Sequence, residues 1–283
     1  MEARLAFAKA IIQNRKLTEE EIPLIISEKE QIIKKSGLLE YFHPKEFLSN
    51  VGGLDNLKDW IHKRGQAYSD DAKNFGLNIP RGVLLLGIPG CGKSLTAKAI
   101  ANEWKFPLLR FDLGKVFGGI VGESERNIRY ALDVAKTISP CVLWIDEIEK
   151  GLSGSQSSGR TDGGTSARVF GTFLTWMQEK KEPVFVVATA NDISALPPEL
   201  LRKGRFDEIF FVDLPSAKER ENIFDIHLKN KYRDAKALNL DMKELVKKTE
   251  GFSGAEIEEV VNEALFNAYA ENQKDLQQNN LLE

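Results

Sequence analysis

The stretch Gly87-Ile-Pro-Gly-Cys-Gly-Lys93-Ser94 decides the fold class of this chain, because it matches the phosphate-binding pattern GxxxxGK[ST]. It follows the apolar run Val83 to Leu86, which is typical of a buried strand, and it leads into a predicted helix over Lys93 to Trp104. Glycines let the backbone wrap around phosphate oxygens, and N–H groups at a helix N-terminus supply partial positive charge. We therefore expect Lys93 to reach the β- and γ-phosphates of a nucleotide and Ser94 to hold Mg²⁺.

A second motif lies downstream, where the apolar strand Cys141-Val-Leu-Trp-Ile ends in Asp146 and Glu147. Two carboxylates at the tip of a buried strand are costly unless they meet a cation, so a role at the phosphate site is favoured over a solvated strand edge. We interpret Asp146 as a Mg²⁺ ligand, directly or through water, and Glu147 as the general base that polarises the attacking water.

Strands and helices alternate around these motifs. We predict strands over Val83 to Leu86, Pro107 to Leu113, Cys141 to Asp146, Val184 to Ala190 and Ile209 to Leu214. Helices are predicted over Lys93 to Trp104, Ser124 to Ile138 and Ser166 to Lys180. The alternation indicates an α/β fold, a parallel sheet with helices on both faces, whose ligand loops lie at the carboxyl ends of the strands.

The ends of the chain have a different, helical character. After Pro215, three capping-box spacings predict a small all-helical domain: Ser216 with Glu219, Asp241 with Glu244, and Ser253 with Glu256. The predicted division is a helical segment over 1–46, the α/β domain over 47–214, the helical domain over 215–275 and a disordered tail over 276–283.

Residues 151–166, rich in Gly and Ser, predict a mobile loop. The opening helical periodicity has no preceding cap, so we expect this chain to be part of a longer protein.

Composition excludes several classes of protein. The chain has 283 residues, 42% of them hydrophobic and 29% charged, which argues against disorder, collagen and small disulfide scaffolds. A net charge of −3 is too balanced for a protein whose whole surface is built to grip DNA or an acidic membrane, with a local basic patch as the alternative. Apolar runs are far shorter than the roughly 18 residues of a membrane helix, so no membrane insertion is expected. The chain has two cysteines, Cys91 and Cys141, which are too few for a disulfide framework. This low count favours a reducing compartment, either the cytoplasm or an organelle matrix such as the plastid stroma.

Over about residues 47 to 272 the chain resembles AAA (AAA+) ATPases. The runs Lys34 to Phe42 and Val51 to Lys58 narrow this resemblance to the little-characterised AAA proteins of cyanobacteria and plastids. The family resemblance implies a P-loop NTPase sheet followed by an AAA lid, with ATP and Mg²⁺ as ligands. It also implies a homo-oligomeric ring, usually a nucleotide-dependent hexamer.

The resemblance assigns further catalytic residues. Asn191, which follows a predicted strand, matches the sensor that orients water against the γ-phosphate; a plain turn-forming Asn is the alternative. Arg202 and Arg205 resemble the paired arginine fingers that reach the nucleotide of the adjacent subunit, with surface salt bridges as the alternative. Lys93 and Glu147 complete the predicted catalytic set.

The resemblance also implies a nucleotide pocket built from three parts of the chain. Its predicted residues are Asn50, Val51, Gly52, Gly87, Gly90, Cys91, Gly92, Lys93, Ser94, Leu95, Ile223, His227, Gly254 and Ala255. Asn50 stands where the family usually has Asp, and Cys91 where it usually has Thr. Cys91 is either a reactive thiolate that makes ATP binding redox-sensitive or a small side chain that fills a small space.

Phe117-Gly-Gly-Ile-Val-Gly122-Glu-Ser-Glu125 resembles the pore loop with which AAA rings grip a translocating chain. Ile120 occupies the position that is commonly aromatic in members that thread polypeptides, and Val121 lies beside it. An aliphatic side chain lacks the rigid contact area of an aromatic ring. Met177-Gln-Glu179 likewise replaces the Asp-Gly-Phe motif of many relatives. A plain Gly-rich connection is the alternative for the loop.

We therefore expect a Mg²⁺-dependent ATPase ring that remodels or translocates a macromolecule, with protein favoured over nucleic acid. Two alternatives come from other classes: a scaffold whose assembly is controlled by nucleotide without hydrolysis, and a nucleic-acid-handling AAA+ loader. The scaffold is disfavoured because it has no need of five residues that are all intact here: Asp146, Glu147, Asn191, Arg202 and Arg205. The balanced charge speaks against the loader.

Overall fold

The computed structural model describes residues 30–31, 33–34, 37–117, 123–151 and 163–282. Within these ranges six strands form a sheet with the order β1-β3-β4-β5-β2-β6. The strands are β1 (Leu39–Phe42), β2 (Gly82–Gly87), β3 (Leu108–Phe111), β4 (Cys141–Ile145), β5 (Val184–Ala190) and β6 (Glu208–Val212). Strands β2 to β6 pair in parallel, and β1 joins β3 in antiparallel orientation. The predicted parallel α/β sheet is confirmed.

Helices cover both faces of the sheet and form the C-terminal part of the chain. They are α1 (Asp55–Gly65), α2 (Asp70–Phe75), α3 (Lys93–Glu103), α4 (Leu113–Phe117), α5 (Glu123–Ile138), α6 (Gly163–Glu179), α7 (Ala217–Asn230), α8 (Met242–Lys248), α9 (Gly254–Ala270) and α10 (Gln278–Leu282). None of the helices in the described ranges has both the length and the apolar character that crossing a membrane requires.

The side chains of β2 show why helices lie on both faces. Successive residues of a strand point to opposite sides, and here Leu84 and Leu86 pack with α5 and α6, whereas Val83 and Leu85 pack with α1 and α3. All four are buried. A strand that is apolar on both sides therefore forms the centre of two separate cores.

The helical domain folds around its own core, centred on Phe224, which is fully buried. Ser216 and Ser253 form reciprocal capping boxes with Glu219 and Glu256 at the starts of α7 and α9. Asp241 caps α8 by accepting the N–H groups of the second and third residues of the helix. The three predicted helix starts are confirmed.

The prediction of helix throughout residues 1–46 is wrong at Leu39–Phe42, which form strand β1 at the edge of the sheet. Leu39 lies opposite Phe111 of β3 and is buried. The charged residue Glu40 faces Arg110, with 3.5 Å between Oε2 and Nη1. A burial site and an ion-pair partner some 70 residues away override the local helical preference.

Three other predicted boundaries differ from the structure. Leu113 begins helix α4 instead of ending a strand, and residues 163–166 belong to α6 instead of the Gly/Ser-rich loop. The expected disordered tail contains α10, where Leu281 is buried in the core of the helical domain. The Asn280 side chain accepts the N–H of Gln277 and so closes the turn before it.

Lys180 provides a pH-dependent test of this packing. Its ammonium group donates to the carbonyl of Val184 and lies 5.8 Å from the centre of the Trp176 ring. Burial lowers the pKa of Lys180 to about 8, against 10.5 for an ordinary lysine. Between these two pH values Lys180 binds more protons in the unfolded chain than in the folded chain. Its contribution to the free energy of unfolding therefore increases as the pH rises.

We expect the difference in unfolding free energy, wild type minus Lys180→Met, to increase between pH 7 and pH 10 in urea titrations. Lys229→Met is the control. The pKa of Lys229 is raised by its hydrogen bond with Asp225, so the corresponding difference does not increase. A pH-independent difference for Lys180→Met would contradict the burial of the ammonium group.

Candidate functional site

The carboxyl ends of three adjacent parallel strands converge at one edge of the sheet. Strand β5 lies between β4 and β2. The phosphate loop follows β2, Asp146 follows β4, and Asn191 follows β5. The topology therefore brings together residues that are separated by more than 100 positions in the sequence.

The phosphate loop has a backbone conformation that requires glycine. Gly87, Gly90 and Gly92 have φ angles of 141°, 78° and 83°. At Gly87 a Cβ atom would also lie 2.0 Å from the carbonyl oxygen of Val212 on β6. Gly92 then leads directly into α3, whose first N–H groups point toward the loop.

Lys93 is the buried cation of this loop, with 6% of its surface exposed. Its ammonium group donates to the carbonyl oxygens of Gly87, at 2.8 Å, and Ile88, at 2.7 Å. Burial lowers the pKa of Lys93, against the opposing effect of nearby acidic groups. Two of the three N–H donors of the ammonium group are thus held by the loop, and the third can reach a phosphate.

Asp146 joins the loop to the neighbouring strands. Its Oδ1 accepts hydrogen bonds from Ser94 Oγ, at 2.9 Å, and from Thr189 Oγ1, at 2.6 Å. The hydroxyl of Ser94 and the carboxylate of Asp146 are hard oxygen ligands of the kind that Mg²⁺ prefers. The described residues include no group of three or more His, Cys, Asp or Glu side chains placed to hold a metal ion. This donor set fits Mg²⁺, which typically takes one or two protein oxygens and completes its shell with phosphates and water.

Glu147 lies at the centre of the site in a strained conformation, with a φ of 48°. Its N–H donates to Thr189 Oγ1 at 2.9 Å, and its Oε1 accepts from Asn191 Nδ2 at 3.2 Å. Its Oε2 forms an ion pair with Lys150 Nζ at 2.5 Å. The predicted general base and the predicted sensor are therefore in direct contact.

Two cavities of about 220 and 240 Å³ lie on either side of the phosphate loop and share Gly90, Gly92 and Leu95. The first is also lined by the other predicted nucleoside contacts: Asn50, Val51, Gly52, Cys91, Ile223, His227, Gly254 and Ala255. The second is also lined by the residues predicted for phosphate, metal and water: Lys93, Ser94, Asp146, Glu147 and Asn191, together with Thr189.

The helical domain forms one wall of the first cavity. The N–H of Ala255 donates to the carbonyl of Gly90 at 3.0 Å, which ties α9 to the phosphate loop. At Gly52 a Cβ atom would lie only 2.3 Å from Ile223, so the two parts approach as closely as glycine allows. Burial lowers the pKa of His227, which favours a neutral imidazole with one donor and one acceptor nitrogen.

Some predicted residues are not brought into the site. Gly87 lines neither cavity and instead allows β2 to approach β6. Arg202 and Arg205 also lie outside both cavities, in the segment that precedes β6. Arg202 is 68% exposed, with Nη2 3.9 Å from Glu199 Oε1. Ile120, Val121 and Gly122 of the predicted pore loop lie outside the described residues.

Comparison with known proteins agrees with this geometry. Residues 83–214 match the family described as "ATPase family associated with various cellular activities (AAA)", and residues 239–283 match the AAA+ lid domain. The chain belongs to the AAA ATPase family. A further match, to the second domain of SpoVK-like AAA ATPases, covers residues 1–36 of this AAA chain.

Two relatives carry the same name, "Uncharacterized AAA domain-containing protein ycf46". The protein from Guillardia theta is 52% identical over 271 residues, which are 96% of the AAA chain and 53% of that protein. The protein from Pyropia yezoensis is 53% identical over 268 residues, 95% of the AAA chain and 54% of that protein. The AAA chain therefore spans about half the length of these relatives, and the predicted resemblance to plastid AAA proteins is confirmed.

Cys91 of the AAA ATPase does not have the environment of a reactive thiolate. Burial raises the pKa of its thiol, and this effect outweighs the opposing influence of Lys93. The thiol lies beside the carbonyl of Pro89, with 3.8 Å between sulfur and oxygen. The structure favours the alternative, a small side chain that lines the nucleoside cavity.

Sequence reasoning missed two polar residues of the AAA site. The hydroxyl of Thr189 donates a hydrogen bond to Asp146 and accepts one from the backbone N–H of Glu147. Glu149 is 8% exposed and accepts the N–H of Asn191 at 3.0 Å. One signal was available, because Thr189 is the polar residue within the otherwise apolar strand β5 and lies two positions before Asn191.

We expect Thr189→Val to lower the kcat for ATP about tenfold or more, because the buried N–H of Glu147 and Oδ1 of Asp146 each lose a hydrogen-bond partner. Thr189→Ser keeps the hydroxyl and is expected to retain most activity. Phosphate release and nucleotide affinity, measured separately, check this. Equal activity of the two variants would show that the hydroxyl is not needed.

Proposed function

We propose that this chain hydrolyses ATP with Mg²⁺ as one subunit of a ring, and that the ring acts on a protein substrate. The observation that carries hydrolysis is the position of Glu147. Its carboxylate accepts a hydrogen bond from Asn191 and lines the same cavity as the phosphate loop, where a water molecule beside the γ-phosphate would have to be activated.

Each residue of the site has a role in this reaction. Lys93 donates to phosphate oxygens, Ser94 and Asp146 hold Mg²⁺, and Asn191 orients the attacking water. Bound Mg²⁺ supplies positive charge that offsets the charge developing on the phosphates. Glu147 takes a proton from the water as the oxygen attacks the γ-phosphorus. The bond from the γ-phosphorus to its bridging oxygen breaks, and ADP and phosphate leave.

The arginine pair supports an assembly of several subunits. Strand β6 runs parallel to β2, so the segment that carries Arg202 and Arg205 lies at the opposite edge of the sheet from the phosphate loop. Asp207 marks this edge, because its carboxylate accepts the N–H groups of Arg81 and Gly82 at the start of β2. The strands separate the two edges by about 16 Å, at roughly 3.3 Å per residue. These arginines therefore serve the site of a neighbouring copy.

A groove of about 1380 Å³ runs along this opposite edge and is lined by Arg202 and Lys203, with Asp207 and Glu208 also among its lining residues. Cationic side chains in a groove suit the nucleotide phosphates of an adjacent subunit. Because the nucleotide edge and the arginine edge are different surfaces, copies would associate head to tail, and such an interface forms a ring when the rotation between successive copies closes. A hexamer is the assembly that the family typically forms.

The charge balance and the cysteines bear on the substrate class and the compartment. A net charge of −3 disfavours nucleic acid and leaves protein as the favoured substrate. Cys91 and Cys141 are not joined by a disulfide, which suits the cytoplasm or an organelle matrix such as the stroma of a plastid.

We expect purified protein with Mg²⁺ and ATP to release phosphate at a rate that Glu147→Gln reduces to background. Lys93→Ala should weaken nucleotide binding or abolish hydrolysis, whereas Glu147→Gln should retain ATP and stabilise the assembly, measured as mass in solution with and without nucleotide. Assembly of the wild type without phosphate release above the Glu147→Gln background would favour a nucleotide-controlled scaffold.

A further inference from the structure

Arg202 and Arg205, the arginine pair, lie on a segment that is hydrogen-bonded at two points to the start of β2. The guanidinium of Arg81 donates through Nη1 to the carbonyl oxygen of Gly204, between the two arginines. The carboxylate of Asp207 accepts the backbone N–H of Arg81 at 2.6 Å. Arg81 therefore contacts the chain on both sides of Arg205.

The two contacts differ in which part of Arg81 makes them. Asp207 is held by backbone groups: its Oδ2 also accepts the N–H of Gly82 at 3.0 Å, and its own N–H donates to the carbonyl of Gly82 at 2.9 Å. The contact with Gly204 comes from the guanidinium. Replacing the Arg81 side chain therefore frees the Gly204 carbonyl but leaves the hydrogen bonds of Asp207 in place.

The turn at Gly204 is the part of this segment that most needs an outside contact. Gly204 is exposed and has a φ of 92°, and glycine has more conformational freedom than any other residue. Phe206, two residues later, is only 7% exposed and packs in the core of the sheet. Without the hydrogen bond from Arg81, we expect the chain before Phe206 to sample more conformations.

The side chains of the arginine pair depend on that backbone for their position. Arg202 is 68% exposed. Nη1 of Arg205 has no hydrogen-bond partner among the residues that the structure describes. An arginine that stabilises transition-state charge must act from a defined place, and a displacement of about 1 Å can cost about 100-fold in rate.

We propose that Arg81 is a positioning residue for the arginine pair: its guanidinium fixes the turn at Gly204 so that the pair reaches the nucleotide of a neighbouring copy. The proposal rests on the proposed function, in which the pair completes the site of that copy. Arg81 precedes β2 and the phosphate loop follows β2. One strand thus carries the phosphate loop of its own site at one end and, at the other end, the residue that prepares the arginines for the next site.

The first test is kinetic. Arg81→Met removes the donors and keeps an apolar stem. Arg64→Met is the matched control, because the guanidinium of Arg64 lies over the Trp60 ring, 5.3 Å from its centre, and outside the groove of the arginine edge. We expect Arg81→Met to lower kcat about tenfold with nucleotide affinity unchanged, and Arg64→Met to keep the wild-type kcat. A wild-type kcat in Arg81→Met would overturn the proposal.

Mixing experiments show on which side of the interface Arg81 acts. Arg81→Met keeps its nucleotide site, so an equal mixture with Lys93→Ala should exceed the mean of the two separate activities, because about a quarter of the interfaces become intact. A mixture with Arg205→Ala should stay at the mean, because both proteins lack a working arginine edge. If Lys93→Ala complements Arg205→Ala but not Arg81→Met, the defect lies in the nucleotide site of the variant itself, and the proposal is overturned.

Another readout needs neither nucleotide nor turnover. Amide hydrogen exchange, followed by mass spectrometry, reports local opening of the backbone. We expect a peptide over residues 202–206 to exchange faster in Arg81→Met than in the wild type, with a peptide over α3 unchanged. Equal exchange over 202–206 would mean that Arg81 does not hold the turn, and this would overturn the proposal even if kcat fell.

Failure of the proposed function gives a different pattern. In that case the wild type releases no phosphate above the Glu147→Gln background, or Lys93→Ala and Arg205→Ala assemble together without regaining activity. Either result would overturn the role of the arginine pair and the positioning role of Arg81 together.

Discussion

The hydrogen bond between Thr189 and Asp146 is the interaction on which the site depends. Strands β4 and β5 pair in parallel with Ile145 opposite Ala188, so the next residues along, Asp146 and Thr189, meet at 2.6 Å. The same hydroxyl accepts the N–H of Glu147. One side chain on β5 thereby fixes the proposed metal ligand and the proposed general base relative to the sheet, and a shift in strand register would separate all three.

Residues with different proposed roles lie at the two edges of the sheet, where the strands begin and where they end. The carboxyl edge carries the phosphate loop, the proposed metal ligands and Glu147, and the lid contacts it through the hydrogen bond from Ala255 to Gly90. The amino edge carries Arg202 and Arg205, which line neither of the two cavities beside the phosphate loop. Under the proposed function a single copy is therefore chemically incomplete, and assembly becomes a condition of rapid hydrolysis.

Much of this arrangement could be predicted because its signals are local. The phosphate loop, the acids after β4 and the capping boxes at Ser216 and Ser253 are all encoded within a few residues. What was missed depends on contacts distant in sequence. Strand β1 is defined by its pairing with β3, and the role of Thr189 by its distance from Asp146. The pKa of Cys91 likewise follows from burial, which spacing along the chain does not reveal.

Complementation between inactive variants is the most direct test of a site completed by a neighbouring copy. Lys93→Ala lacks the phosphate lysine but keeps Arg205, and Arg205→Ala has the opposite defect. In an equal mixture, about a quarter of the head-to-tail interfaces would pair an intact nucleotide site with an intact arginine. The account predicts that two proteins with background ATPase activity regain measurable hydrolysis when mixed. A mixture that assembles but stays at background would contradict it.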